Sequence, residues 1–329
     1  MRTLTICSIA AGILVSASAL AEPIIGITGS AAGTNVVRFD SNSPGTVTTV
    51  GPLTGIVAGH SVRALDRRPA NNTIYVLSTN TTTGFQLYTL NESTGALTPV
   101  GSGGTVSFTW PTRVSMDFNP AADRIRVVGG GAQNLRLNPD TGALVQEDTA
   151  LAYVAGDPNA ASNPPFPVGV AYDFNDTDPN TATTMYVYDF DNDALGRVGS
   201  VGGSPVSPNT GQITTIFTPS AFVTGDGGVG FDISSGGAAY LSYSDIGGGV
   251  VARKVDGETE GVPPELFSRI NLTTGAITVI GTLPVDLLDF TVGIEVLPPA
   301  NVPTANRFGL ALLGLLIGVG GLIAVRRFS

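Results

Sequence analysis

Five acidic residues each close a short hydrophobic segment of similar pattern. They are Asp66, Asp117, Asp173, Asp232 and Glu295. Residues at the same place in a repeat occupy equivalent places in the fold, so we expect the five carboxylates to form a ring. Such a ring predicts a bound cation, an acid pair for glycosidase-like chemistry, or acceptors for the turn that follows each acid. Repetition favours the third, structural role, because a catalyst needs an acid and a base in unlike environments.

A second acidic cluster interrupts the repeat. Asp189, Asp191 and Asp193 alternate with other residues, as the oxygen ligands do at the start of a calcium-binding loop. The sequence departs from that loop at its sixth position, which is Ala194 instead of glycine, and at its twelfth, which is Ser200 instead of glutamate. The cluster predicts either a calcium site or a solvated acidic turn.

Other catalytic groups are scarce. His60 is the single histidine, and Cys7, the single cysteine, lies in the apolar N-terminal segment. Zinc hydrolysis, thiolate catalysis and disulfides are therefore not expected in the body of the protein. His60 and Asp66 could belong to a Ser-His-Asp arrangement, but a lone histidine between loop residues is typical of a structural or exposed position. No catalytic residue is assigned, and a non-enzymatic protein is favoured.

The acids are carried by a four-part unit of β-strands. The first run ends in the acid, the second follows a polar turn, and the third and fourth are joined by a tight turn. That turn contains Thr-Gly at residues 94–95, 141–142, 210–211 and 274–275. Glycine supplies the positive φ of hairpin turns, and the alternation of apolar residues on both sides indicates hairpin strands.

Counting these runs predicts the architecture. There are five runs of each type if residues 24–27 form the second strand of the first unit and residues 195–198 form a weak third strand of a later one. The chain then starts on a second strand and ends, at Glu295, on a first strand. A ring lets the last strand complete the first blade and covers two exposed edges. We therefore predict an all-β, five-bladed β-propeller of four-stranded blades over residues 22–300, with a two-sheet sandwich or an open solenoid as alternatives.

Two insertions break the spacing of the blades. Residues 155–168 and 251–264 are rich in proline, glycine or charge. Loops of this length on a rigid frame often carry function. The alternative is that they are solvated excursions without a role in binding.

The N-terminus has the pattern of a secretory signal peptide over residues 1–21. Arg2 supplies the positive charge, residues 4–15 the apolar run, and Ala19-Leu20-Ala21 the small-x-small cleavage site. The apolar run is shorter than the roughly 20 residues that span a bilayer. We expect export across the inner membrane and cleavage by signal peptidase.

The C-terminus, residues 301–329, predicts a membrane anchor. Residues 308–325 are apolar throughout and precede Arg326 and Arg327. An apolar stretch of this length spans a membrane, and the basic pair should stay on the cytoplasmic side. The body then faces outward, in the cell envelope or at the surface.

The segment before this helix resembles a known sorting signal. Val302, Pro303 and Thr304, with the helix and basic tail, are similar to the Ile-Pro-Thr-Leu type of Gram-negative bacteria. That type is related to the Pro-Glu-Pro signals that exosortase membrane proteases read. The resemblance implies an exosortase-like sorting protease as a partner. Val302, Ala305 and Phe308 stand where isoleucine, leucine and tryptophan are usual.

The predicted body is strongly acidic. Without Arg2, Arg307, Arg326 and Arg327, the 16 basic side chains fall to 12 against 26 acidic ones, a net charge of −14. Such a surface repels nucleic acid and anionic headgroups. It favours solubility and can attract cations.

One stretch resembles the bacterial domain-of-unknown-function family 4394. The residues that carry the likeness are 117–120 (DFNP), 123–128 (DRIRVV) and 134–144 (NLRLNPDTGAL), with 37–40 (VRFD) nearer the N-terminus. The resemblance implies exported, propeller-like β-repeats and no assigned activity. The sequence as a whole predicts an exported envelope propeller that presents loops for binding or matrix assembly. The alternatives are a carbohydrate-active hydrolase or lyase and a calcium-dependent adhesin.

Overall fold

The computed structural model describes residues 21–29, 34–218, 229–244 and 265–293. Five antiparallel sheets are arranged as a five-bladed β-propeller, as the sequence predicts. Three 3-10 helices lie at Ala160–Ser162, Val201–Gly203 and Pro208–Thr210. Within these ranges no helix is long and apolar enough to cross a membrane. Residues 1–20 of the predicted signal peptide, the insertion 251–264 and the sorting segment 301–329 lie outside the described residues.

Each blade has four antiparallel strands, and blade 4 has a fifth, short strand at its edge. The strands are numbered here in chain order. Blade 1 contains β1 (Pro23–Thr28), β2 (Asn35–Asp40) and β3 (Ser43–Pro52). Blade 2 contains β4 (Ser61–Arg68), β5 (Thr73–Thr79), β6 (Gly84–Leu90) and β7 (Leu97–Thr105). Blade 3 contains β8 (Val114–Asn119), β9 (Arg124–Gly129), β10 (Gln133–Leu137) and β11 (Leu144–Glu147).

The remaining strands form two further blades and return to the first. Blade 4 contains β13 (Pro167–Tyr172), β14 (Met185–Asp189), β15 (Ala194–Val198) and β16 (Gln212–Phe217), with β12 (Ala152–Tyr153) added in parallel at its edge. Blade 5 contains β17 (Gly230–Ile233), β18 (Ala239–Ser244), β19 (Glu265–Ile270) and β20 (Ile277–Leu283). The last strand, β21 (Leu287–Val292), is the fourth strand of blade 1.

The ring closes through the pairing of β21 with β1. Ile24 lies opposite Val292 and Gly26 opposite Phe290. Closure is therefore confirmed, but the closing strand lies earlier than the sequence analysis places it. The motif at residues 292–295 suggests a first strand that ends at Glu295, whereas the chain uses residues 287–292 and Glu295 lies outside the described residues. The segment 287–292 has the stronger alternation, with Phe290 and Val292 buried in the core.

The core lies between the faces of neighbouring blades. Middle strands such as β18 are buried at every position, whereas outer strands such as β7 are mostly exposed or partly exposed. Continuous burial follows because a middle strand is covered on both faces of its sheet. Trp110 contributes to one of these interfaces, where it packs edge-to-face against Phe85 and Phe108.

The Thr-Gly turns also hold neighbouring blades together. Gly95 has a φ of 75° and Gly142 a φ of 68°, as the hairpin prediction requires. A Cβ atom on Gly142 would lie 2.2 Å from the carbonyl oxygen of Val100 in the preceding blade. Glycine is thus needed both for the turn itself and for close packing against the adjacent outer strand.

Candidate functional site

The first strands line the propeller axis, and their pairing with the second strands fixes which residues are equivalent. The register places five residues at one level: Asp66, Asp117, Ala171, Asp232 and Thr291. Three of the five acids named from sequence therefore share this level. Asp173 lies two residues after Ala171, beyond the end of β13. The ring is not made of five equivalent acids.

Each acid at this level accepts a hydrogen bond from the next blade. Asp66 Oδ2 accepts from Phe118 N at 2.7 Å, and Asp117 Oδ1 accepts from Tyr172 N at 3.0 Å. Asp232 Oδ2 accepts from the backbone N–H of the closing strand, at residue 292 and 2.6 Å. The sequence pattern predicts that such acids bond the turn that follows on the same blade. They bind the neighbouring first strand instead, because that strand is packed directly beside them in the ring.

Thr291 completes the pattern where the chain closes. Its Oγ1 accepts from Arg67 N at 3.3 Å and donates to Asp66 Oδ1 at 2.9 Å. Ala171 carries no acceptor, and the N–H that it would serve, on Ile233, is bonded at 2.6 Å to Asp232 of its own strand. One side-chain position on the first strand thus bonds the next blade in four of the five blades, and the link from blade 4 to blade 5 is missing at this level.

A second level of acceptors lies two residues earlier on the first strands. Ser115 Oγ accepts from Val170 N at 3.1 Å, and Asp289 Oδ2 accepts from Leu65 N at 3.0 Å. Asp289 was not identified from the sequence, because it lies outside the repeated motif. It is the fourth carboxyl group on the axis.

The four axial carboxyl groups are almost wholly buried. Asp66, Asp117, Asp232 and Asp289 are between 1% and 3% exposed. Burial raises the pKa of Asp66 to about 6, although hydrogen bonds from Phe118 and Thr291 oppose the rise. Burial, with repulsion among the acids, raises the pKa of the other three well above the ordinary value. The axis therefore favours protonated acids or a compensating cation.

Three of these acids can share a cation. One oxygen from each of Asp66, Asp117 and Asp232 lies within 4.8 Å of the others. The adjoining cavity, lined in part by Asp66, Asp232 and Asn175, has a volume of about 10 Å³. That is the space of one water molecule, whereas small-molecule pockets measure roughly 300 Å³ or more. This cavity has room for an ion or a water molecule but not for a sugar.

Asp173 serves the turn on its own blade. Its Oδ1 accepts from Thr184 N at 2.5 Å and from Thr183 Oγ1 at 3.2 Å. Here the sequence-based interpretation of a turn acceptor matches the contacts. The difference from Asp117 is one of register, since Asp173 follows its strand and Asp117 lies within one.

The calcium-like cluster is largely occupied by hydrogen bonds. Asp189 is buried, and its two oxygens accept from Tyr153 OH at 2.6 Å, Phe166 N at 3.0 Å and Asp191 N at 3.1 Å. Asp193 is also buried and bonds Tyr188 OH. Asp191 is exposed. Most of the oxygen atoms that calcium would need thus already serve the turn, and calcium binding stays a prediction.

His60 has no carboxylate among its contacts in the described residues. Its Nδ1 lies 3.0 Å from Ser78 Oγ, which in turn bonds Tyr88 OH at 3.3 Å. A catalytic histidine needs a carboxylate or an equivalent group to orient its ring. The contacts of His60 are those of a structural residue between two strands.

A cavity lined by arginines lies between blades 3 and 4. Its volume is about 300 Å³, and Arg124, Arg126 and Arg136 line it. Arg126 and Arg136 both bond Asp148, each with a distance of 2.7 Å to Oδ2. Two arginines thus share one carboxylate, and no acidic residue lines the described cavity wall. The surroundings are locally positive in an otherwise acidic protein.

Residues 35–291 match the family described as Domain of unknown function (DUF4394). The chain is a DUF4394 protein. No curated protein matches it.

Several solved structures resemble this DUF4394 protein at low sequence identity. A protein of unknown function from Bacteroides thetaiotaomicron is 16% identical with a TM-score of 0.44, over 82% of this chain and 60% of its own. A GH43_1 enzyme from Xanthomonas citri complexed with xylose is 12% identical with a TM-score of 0.48, over 78% and 86%. A putative TolB from Agrobacterium tumefaciens is 11% identical with a TM-score of 0.35, over 82% and 94%. Likeness of this degree says nothing about substrate or activity.

The arginine cavity of the DUF4394 protein was not identified from the sequence. Its residues come from β9, β10 and the loops of the next blade, which are distant in the chain. One signal was present. Arg126 stands where the second strands of three other blades carry tyrosine, namely Tyr75, Tyr186 and Tyr240. A break in a repeat of core tyrosines indicates a local change of role.

Proposed function

We propose that this chain is an exported, non-enzymatic propeller of the cell envelope, which serves as a binding or matrix scaffold. The observation that carries the proposal is the use of the axial acids. Asp66, Asp117 and Asp232 each accept a backbone N–H of the neighbouring blade. Because these acids hold neighbouring blades together and lie beside a cavity of about 10 Å³, their contacts support a structural role on the propeller axis.

The carbohydrate-active alternative receives partial support from the same acids. A general acid needs a raised pKa, and Asp66 has one of about 6. A glycosidase also needs two carboxyl groups roughly 5–9.5 Å apart on either side of an accessible sugar. Asp66, Asp117 and Asp232 are instead buried, and each accepts a backbone N–H of the next blade, so they do not flank an accessible sugar. The geometry therefore favours the scaffold.

The envelope address rests on the two ends of the sequence. A signal peptide at residues 1–21 and an anchor at residues 301–329 would place the body outside the inner membrane. Val302, Pro303 and Thr304 would make the junction available to an exosortase-like protease. The acidic body would stay soluble and would avoid nucleic acid.

Cell fractionation tests this proposal. The full chain is produced in a Gram-negative host, and an antibody against the propeller body detects it in cytoplasmic, envelope and culture fractions. We expect the body in the envelope, and release from the envelope when residues 302–329 are deleted. Recovery of the full chain from the cytoplasm would contradict the export proposal.

An assay for polysaccharide cleavage tests the non-enzymatic part. The purified chain is incubated with acidic and neutral polysaccharides, and reducing ends are measured. We expect background values for the native chain and for Asp117→Asn alike. Turnover that Asp117→Asn abolishes would establish the hydrolase instead.

A further inference from the structure

The cavity between blades 3 and 4 presents hydrogen-bond donors and few free acceptors. Arg126 is 2% exposed, and its guanidinium bonds Tyr172, Asn134, Asp148 and Asn209. It is held rigidly by these four contacts. A buried arginine with a fixed geometry supplies a positive charge that does not move away from a ligand.

Arg124 and Arg136 retain unused donors. In the described residues Arg124 makes one hydrogen bond, from Nη1 to the carbonyl oxygen of Asp123 at 2.7 Å, and no ion pair. Arg136 bonds Asp148 through Nε and Nη2, which leaves its Nη1 without a partner in the same part of the chain. The Arg136 side chain is 27% exposed, so solvent reaches the cavity.

Two asparagine amides on the cavity wall add further donors. The Asn119 oxygen already accepts from Ala122 N at 2.9 Å, and the Asn209 oxygen accepts from Arg126 Nη2 at 2.6 Å. With their oxygens occupied, both amides have NH₂ groups that bond no other group among the described residues, and these can donate to a ligand. Both residues line the cavity. The arginine and asparagine side chains of this wall therefore offer donors to a ligand.

We propose that this cavity binds a small ligand that carries an oxyanion, a carboxylate or a phosphate. Arginine forks match the geometry of such groups, and charge-assisted hydrogen bonds to them are the stronger kind. The charge of the wall agrees, because three arginines line it and Asp148 neutralises one of them. A volume of about 300 Å³ admits a group the size of a sugar acid.

The inference deepens the proposed binding function, since it names a ligand class and a site on the scaffold. The ligand has to be recognised at short range. The net charge of −14 on the body repels anions at a distance, so only contacts inside the cavity favour them. Neutral sugars lack the charge that the free guanidinium donors complement.

Titration calorimetry on the full-length chain in detergent tests the site. The ligands are glucuronate for the carboxylate source, inorganic phosphate for the other, and glucose as the neutral control. We expect glucuronate, phosphate or both to bind with a dissociation constant below about 1 mM, and glucose not to bind. The titrations with glucuronate and with phosphate show which oxyanion binds, and added sodium chloride should weaken the binding of either one.

Matched variants locate the binding. Arg124→Gln removes the unused guanidinium donors together with one hydrogen bond, to the carbonyl oxygen of the adjacent Asp123. It should therefore raise the dissociation constant about tenfold without loss of folding. Arg197→Gln is the control, because Arg197 occupies the place of Arg136 in the next blade and does not line the cavity. It should bind as the native chain does. Circular dichroism confirms that each variant is folded.

Three results would overturn the inference: no heat with either oxyanion, equal binding of glucose, or unchanged affinity in folded Arg124→Gln. Its failure is separable from failure of the scaffold proposal. A chain found in the cytoplasm that still binds glucuronate through Arg124 would refute the address alone. An envelope protein without oxyanion binding would refute the cavity alone.

Discussion

The axis and the arginine cavity are both polar interiors of one propeller, and they use charge in opposite ways. On the axis, Asp66, Asp117 and Asp232 are buried and accept backbone N–H groups of the next blade. In the cavity, Arg124 and Arg136 are reachable and keep donors that the described protein does not use. A charge whose hydrogen bonds are filled by the fold is structural, whereas one with unfilled donors in an open space is available to a ligand.

The largest expected difference between the two regions is in pH dependence, because the buried acids of the axis should make the free energy of unfolding depend on pH. Asp66 has a folded pKa of about 6 against an ordinary 3.8, so between these pH values the folded state holds a proton that the unfolded state has lost. The free energy of unfolding should therefore fall as pH rises from 4 to above 6, by about 3 kcal/mol from this group. Urea unfolding at pH 4.5 to 7.5 measures it.

Asp66→Asn is the control for that pH dependence. The asparagine keeps an oxygen for Phe118 N but cannot ionise, and its neutrality relieves the repulsion that raises the pKa of Asp117, Asp232 and Asp289. The slope between pH 4.5 and 7.5 should be shallower in the variant. An equal slope in both proteins would show that Asp66 does not contribute to the pH dependence of stability in this range.

The next effect compares removal of one group from each region. At pH 5, Asp66→Ala should lower the free energy of unfolding by about 2 kcal/mol, because Phe118 N and the Thr291 hydroxyl lose their acceptor in a buried place. Arg124→Gln should change it by less than about 0.5 kcal/mol, as is usual for residues without such features. Urea unfolding under identical conditions gives both values. Equal losses would remove the distinction between a structural axis and a ligand cavity.

The smallest expected effect is stabilisation by calcium. Millimolar calcium should raise the melting temperature by a few degrees if an acidic group binds it at about ten times the dissociation constant. Asp117→Asn tests the axial trio and Asp191→Asn the exposed member of the turn at residues 189–193. The variant that loses the shift identifies the site. A native chain without any shift, and without heat in a calcium titration, would end the calcium hypothesis.

The fold followed from the sequence because a propeller repeats its signals. Thr-Gly turns and acid-ended strands gave five blades, and pairing of the two ends was required to cover the edges of β1. The position of the last strand was predicted wrongly. Residues 292–295 match the acid-ended motif of a first strand, but residues 287–292 form the strand and contribute its buried side chains to the core. A motif of four residues is a weaker guide than the pattern of burial around it.

The site could be predicted only in part, because its residues are far apart in the sequence and are brought together by the packing of blades. That Asp66 and Asp117 lie on the axis follows from the repeat. That Asp117 binds Tyr172 depends on how neighbouring blades stack, which no local pattern specifies. The arginine cavity joins side chains of two blades, and its one local sign was Arg126 in place of a tyrosine.

Closure of the ring by β21 has a consequence for the order of folding. The partner of β1 is synthesised last among the described strands, and it also carries Asp289 and Thr291, the acceptors for Leu65 N and Arg67 N. Before that strand is in place, blade 1 has an unpaired edge at β1, and blade 2 lacks its hydrogen bonds to blade 1. Pairing across so much of the chain is slow to form. A chain that lacks β21, or is not yet fully synthesised, would therefore expose the unpaired edge of β1, which could pair with another chain. The edge is covered once β21 pairs with β1.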